Sequence, residues 1–185
     1  MRGHEGEGLA AYFSVLNELL TSSGKTQDGF TFEKRVRRPP KDPINALLSF
    51  GYTLLTNDLM TAVNIVGFDP YIGYLHAEKY GRPALALDLM EEFRPLIVDA
   101  MVLACVNKRI LTRAHFIATE AETYRLTDDG RRIFLEQYEV RRKTEFTHAH
   151  LNCKITYQRA FEEQARVLGR VLQGELPEYL PVLMK

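Results

Sequence analysis

The chain has 185 residues, 45% of them apolar and 26% charged, with 24 cationic and 24 anionic side chains. This is the make-up of a soluble globular protein with a real core, and it excludes a disordered chain, a collagen-like repeat and a membrane span. The two cysteines, Cys105 and Cys153, form no disulfide framework and fit a reducing, cytoplasmic setting, and the polar, glycine-rich residues 1–8 do not read as a signal peptide.

Helical spacing of Leu9, Tyr12, Phe13, Leu16, Leu19 and Leu20 predicts a helix from about Glu5 to Ser22. A polar connection follows over residues 21–38. Asp42 before Pro43 marks a second helix start, an N-cap acceptor followed by proline at the first helical position. This helix is expected to reach Val66, with Leu47, Leu48, Leu54, Leu55, Leu59, Val63 and Val66 turned inward, and to end at Gly67 and Pro70. Residues 67–83, with three glycines and two prolines, read as a turn-rich excursion.

A long helix is predicted from about Ala84 to Lys108, with Leu85, Leu89, Leu96 and Ile97 in the core and Pro95 kinking or dividing it. Residues 115–126 suit a short hairpin. Thr127 or Asp128 caps the next helix, and a last helix spans about Ile155 to Gln173, closed by Gly174 and Pro177. The expected fold is therefore mainly α: one helical domain over residues 1–185, a bundle with at most one short β-hairpin.

Several groups carry candidate chemistry. Asp88 and Glu91, three apart on a helix, share one face. They read either as an exposed acidic face balanced by Arg94 or as metal ligands. Asp88 lies in an apolar run, where a carboxylate needs a partner. His76 lies twelve residues before Asp88 and is either structural or a ligand. With the two acids it would make a mixed nitrogen–oxygen site suited to Mn²⁺ and able to accept Mg²⁺. Glu5 and Glu7 favour a helix start, although three glycines in the first eight residues weaken one.

The segment Lys34–Lys41 holds five cations in eight residues, and Arg141, Arg142 and Lys143 form a second cluster; each is a phosphate-binding surface or a solvated face. His148, His150 and Cys153 offer soft ligands within six residues but lack a fourth partner for zinc. Residues 124–132 match the end of a winged-helix wing, or plain helix capping. No Walker-type loop, G-x-G-x-x-G or G-x-S-x-G occurs, so ATP, dinucleotide and hydrolase-elbow chemistries lack support.

Four blocks in order resemble the CRISPR-associated endonuclease/integrase family, the catalytic subunit of the spacer-acquisition complex. They are Arg2-Gly3-His4-Glu5-Gly6, residues 38–52 (R-P-P-K-D-P-I-N-A-L-L-S-F-G-Y), residues 67–76 (G-F-D-P-Y-I-G-Y-L-H) and residues 88–95 (D-L-M-E-E-F-R-P). The resemblance implies metal ligation by Glu5, His76 and Glu91, with Asp88 a further acid beside the metal, and these four are the catalytic candidates. It implies Mg²⁺ or Mn²⁺ as cofactor, and attack of a DNA 3′-hydroxyl on a phosphodiester together with the related cleavage. Its expected partners are double-stranded and branched DNA, a second copy of the chain and a small dimeric CRISPR-associated subunit. Arg35, Arg37, Arg38, Lys41 and Arg94 are the candidate DNA contacts. Family members ordinarily carry an N-terminal β-rich domain ahead of the Glu5 motif; the chain starts without it, so the alternative expectation is a truncated, non-catalytic DNA-binding or assembly module.

Overall fold

The computed structural model describes residues 2–21, 30, 32–36, 39–77, 79–119 and 123–183; within the first helix the side chains of residues 2–7, 9, 10, 17 and 21 lie outside the description. Six α-helices dominate: α1 (Arg2–Thr21), α2 (Pro43–Val66), α3 (Ala84–Arg94), α4 (Ala100–Asn107), α5 (Asp128–Arg142) and α6 (Tyr157–Leu172). The described residues also hold two antiparallel pairs, β1 (Phe116–Ala118) with β2 (Tyr124–Leu126) and β3 (Glu145–His148) with β4 (Cys153–Thr156), and a short 3₁₀ turn over Arg113–His115. The chain is mainly α, as expected, and β1–β2 is the expected hairpin. The second pair arises where the sequence suggested soft metal ligands.

The local signals act as read. Asp42 Oδ1 accepts the Asn45 N–H at 2.7 Å, so Asp42 caps α2 with Pro43 as its first residue. Gly67 ends α2 at φ +94°, a left-handed backbone that a side chain would strain. Thr127 Oγ1 accepts the Gly130 N–H at 3.0 Å and caps α5, and Thr156 does the same for α6 through Arg159. The predicted long helix is divided at Pro95, because proline has no N–H to give the preceding turn. Residues Pro95–Asp99 form a π-helical turn, and the guanidinium of Arg141 donates to the Leu96 carbonyl there.

The chain clusters into two compact units, Met1–Phe50 with Asp99–Gln137 and Gly51–Val98 with Tyr138–Lys185. In the first, Ile44, Leu47, Leu48, Leu111 and Phe134 are fully buried, and Phe134 stacks on Phe50 at 5.4 Å between ring centres. Leu16 and Leu20 of α1 are buried, but Leu19 is exposed. Tyr12 is exposed on its ring and donates its hydroxyl to the buried Asp99 at 2.5 Å. In the second unit Leu55, Leu59, Val63, Phe93, Ile97, Phe161 and Ala165 form the core, with Phe93 edge-on to Phe161 at 4.8 Å. Each such aromatic or aliphatic burial contributes about 1.5–3 kcal/mol. Leu54, Val66 and Leu96, expected inside, are half-buried; Val66 is the last residue of α2 and Leu96 lies in the π-helical turn. No described helix is long and apolar enough to cross a membrane.

Candidate metal centre

The second unit builds the site by folding residues 67–77 back against the first turns of α3. Leu85 donates its N–H to the Pro70 carbonyl at 2.9 Å, and the Asp69 carboxylate accepts the Tyr71 N–H at 2.9 Å, which tightens the turn. Gly73 then passes close to α3. A Cβ placed on it would lie 2.7 Å from the Ala84 Cβ and 2.8 Å from Asp88 Oδ2, so only glycine allows this approach.

Beyond Gly73 the backbone turns three successive N–H groups onto one carboxylate. Asp88 Oδ2 accepts from Tyr74 at 2.6 Å and Leu75 at 3.0 Å. Its Oδ1 accepts from the His76 N–H at 2.9 Å and lies 2.7 Å from His76 Nδ1. The Asp88 side chain is only 8% exposed. Burial works to raise its carboxyl, but the hydrogen bonds from Leu75, Tyr74 and His76 outweigh that and hold it below the ordinary aspartate value.

One helical turn on, Glu91 Oε1 lies 4.0 Å from His76 Nε2. Arg94, three residues further, sets one guanidinium nitrogen 2.7 Å from both Glu91 oxygens and stacks its plane 4.5 Å from the Tyr52 ring centre. Of the two sequence readings of this face, the balance by Arg94 holds for Glu91. Asp88 is instead turned into the loop, where its partners are backbone donors and the imidazole.

The donor set fits a divalent cation. Metal–ligand distances of about 2.1 Å let one ion join two atoms up to about 4.2 Å apart, and the Nε2–Oε1 separation falls within that reach. Nδ1 is already engaged by Asp88, so Nε2 is the ring nitrogen left for a cation. Both Asp88 oxygens carry two donors each, so this acid is not offered as a ligand in this conformation. Among the described residues no group of three or more His, Cys, Asp or Glu side chains is arranged to hold a metal ion; His76 and Glu91 supply two donors. Glu5, the third predicted ligand, lies in the backbone of α1, and its side chain is outside the described residues.

The predicted DNA contacts have varied settings. Lys41 is exposed. Arg35 is half-buried and donates to Asn45 Oδ1 at 2.7 Å and Ser49 Oγ at 3.0 Å, which binds its segment to α2. Arg94 is held by Glu91 as described. Arg37 and Arg38 lie outside the described residues. The soft-ligand residues lie close together but differ in burial. His148 is buried and leaves Nε2 without a hydrogen bond, whereas His150 and Cys153 are exposed.

The sequence reading passed over Glu92, although it lies beside a predicted ligand. Its carboxylate accepts the Tyr179 hydroxyl at 2.5 Å, the Val182 N–H at 2.8 Å and the Gln164 amide at 3.2 Å. Burial pushes its carboxyl above the ordinary glutamate value, although the bonds from Tyr179, Val182 and Gln164 oppose that. No local pattern marks these partners, which lie 72–90 residues away. The outer side of the His76 loop also borders an open cleft of about 570 Å³ lined by Tyr71, Ile72, Lys79, Tyr80 and Gly81.

The sequence matches the family model described as CRISPR associated protein Cas1 over residues 1–140. A CRISPR-associated endonuclease Cas1 of Leptospira interrogans is 42% identical over 185 residues, covering all of this chain and 71% of that protein. Among solved structures, a Cas1 protein from Thermotoga maritima superposes with a TM-score of 0.81 at 33% identity, over 93% of this chain and 51% of that one. The chain of a Cas6-RT-Cas1–Cas2 complex gives 0.82 at 28% identity, over 100% of this chain and 19% of its own length. The chain thus spans about half of the Thermotoga protein. It belongs to the Cas1 family, and the four motifs noted in the sequence lie within the matched region.

Proposed function

We propose that this chain is the catalytic lobe of a divalent-metal-dependent DNA endonuclease and integrase acting in CRISPR spacer acquisition in the cytoplasm. The approach of His76 Nε2 to Glu91 Oε1 carries the reading, because these are the positions the family motifs assign to metal ligands. Glu5 is the third ligand in this reading. Mg²⁺ or Mn²⁺, when bound there, polarises a phosphodiester and stabilises the charge that builds on it.

The chain's own residues supply the rest. His76 provides a neutral nitrogen lone pair. Glu91 provides an anionic oxygen, and Arg94 keeps that carboxylate in place. A DNA 3′-hydroxyl attacks the phosphodiester. A new P–O bond forms as the old one breaks, the attacking hydroxyl gives its proton to solvent, and the departing 3′-oxygen takes one up from solvent to become a 3′-hydroxyl. Arg37, Arg38 and Lys41 bind DNA phosphates; Arg35 and Arg94 assist by positioning their segments and by their charge. Double-stranded and branched DNA are the substrates, and a second copy of the chain and a small Cas2-type subunit are the partners. The Cas1–Cas2 complex among the structural relatives supports the last of these.

The test is Mn²⁺-dependent cleavage of branched DNA by the chain and by His76→Ala. Cleavage by the chain that is lost in the variant is expected, and equal activity in both removes this site. Tight DNA binding with no metal-stimulated turnover in either favours a non-catalytic assembly module.

A further inference from the structure

We propose that Asp88 is a positioning residue whose function is to fix His76 as the Nδ1–H tautomer and so keep the Nε2 lone pair free towards Glu91; the inference rests on the metal-centre reading above. An isolated neutral imidazole prefers its proton on Nε2, which would close the nitrogen nearest Glu91. Here Nδ1 lies 2.7 Å from Asp88 Oδ1, a carboxylate oxygen that accepts and cannot donate, so the proton belongs on Nδ1. The same oxygen accepts the residue's own N–H at 2.9 Å, so backbone and side chain of His76 are held by a single atom.

The acceptor is itself immobilised. Tyr74 and Leu75 donate to Oδ2, the side chain is almost fully buried, and Gly73 closes the loop onto it with no room for a methyl group. Carboxylates that orient metal-binding histidines in this way commonly alter metal affinity ten- to a hundredfold when removed. The role also accounts for an acid at position 88 that carries four donors: it acts through His76.

Asparagine at this position gives a signed test. With its NH₂ in place of Oδ2 it would oppose two backbone donors. In place of Oδ1 it opposes one and can donate to Nδ1, provided the imidazole proton moves to Nε2. The second orientation loses fewer bonds, so Asp88→Asn should reverse the tautomer. The measurement is a long-range ¹H–¹⁵N correlation on the metal-free full chain carrying ¹⁵N-histidine, above the ordinary imidazole pKa, with the His76 signals assigned by their absence in His76→Gln.

Wild type should show Nδ1–H and a lone pair on Nε2. Asp88→Asn should show Nε2–H and bind Mn²⁺ ten- to a hundredfold more weakly in calorimetry, while retaining its helical circular dichroism. Nε2–H in the wild type overturns the proposal without any variant. An unchanged tautomer together with unchanged Mn²⁺ affinity in Asp88→Asn overturns it as well. If wild type shows Nδ1–H but binds no Mn²⁺, the metal-centre reading fails while the tautomer control stands.

Discussion

Glu91 and Glu92 are consecutive carboxylates on α3 with opposite fates. Glu91 is one-third exposed, faces an imidazole, and is held by a single arginine whose bond a cation can share. Glu92 is half-buried and surrounded by a tyrosine hydroxyl, a backbone amide and a glutamine amide, all of them neutral donors. A helix rotates about 100° per residue, so neighbours in sequence serve different surfaces. The difference shows which acid is available for chemistry. Glu91 has unsaturated oxygen lone pairs beside a second potential ligand. Glu92 fastens the C-terminal segment, through Tyr179 and Val182, to the helix that carries the centre.

The largest expected effect is on the Glu91 side. Glu91→Gln keeps an acceptor for Arg94 but removes the anionic oxygen, and should lower Mn²⁺-dependent DNA cleavage by about a hundredfold or more while moving the midpoint of thermal unfolding little. Glu92→Ala should do the reverse. It leaves the Tyr179 hydroxyl, the Val182 N–H and the Gln164 amide without their acceptor, and should cost about 2–3 kcal/mol in urea unfolding. A Glu92 variant that unfolds normally yet loses metal binding would break the comparison.

Gly73→Ala comes next, with Mn²⁺ affinity lower by roughly tenfold in calorimetry, because the loop must retreat from Asp88 and carry His76 with it. Tyr179→Phe removes one bond to the half-buried Glu92 carboxylate and should destabilise by about 1 kcal/mol with little change in metal affinity.

The subtlest effect is in pH dependence, and the two buried-side acids differ in sign. The Glu92 carboxyl lies above its ordinary 4.5 in the folded chain, so its contribution to stability is complete below that value and is lost as pH rises through the folded value. Asp88 lies below its ordinary 3.8, so its contribution is present above that value and is lost as pH falls through the folded one. Urea midpoints measured against pH should therefore show a decline above about pH 4.5 in wild type that is reduced in Glu92→Gln, and an acid limb that is reduced in Asp88→Asn.

Much of the architecture was legible in short-range pattern. The Asp42–Pro43 start of α2, its end at Gly67, the break at Pro95 and the Thr127 cap each rest on chemistry within four residues, as does the shared face of Asp88 and Glu91. The motif resemblance implies one centre of Glu5, His76, Asp88 and Glu91, and in the structure His76 lies beside Asp88 and Glu91, while the Glu5 side chain lies outside the described residues. The depth of burial was less legible, as Leu54, Val66 and Leu96 show, because residue type does not report which side of a stripe a neighbour covers. The β3–β4 pair was hidden for a related reason. Residues 148–153 look like ligands in isolation, yet His148 pairs with Cys153 across a two-strand ladder.

By itself, then, the chain's order of residues determined the helices, their caps and the family, since those depend on backbone propensity and on spacing along one element. Only the tertiary structure decided that Asp88 turns inward to three backbone amides and an imidazole, and that Glu92 is fastened to Tyr179, Val182 and Gln164. The imidazole, loop amides, tyrosine, valine and glutamine lie between 12 and 90 residues away along the chain. A carboxylate's partner is whichever donor packing brings within about 3 Å, and that choice is made by the folded core rather than by neighbours in sequence.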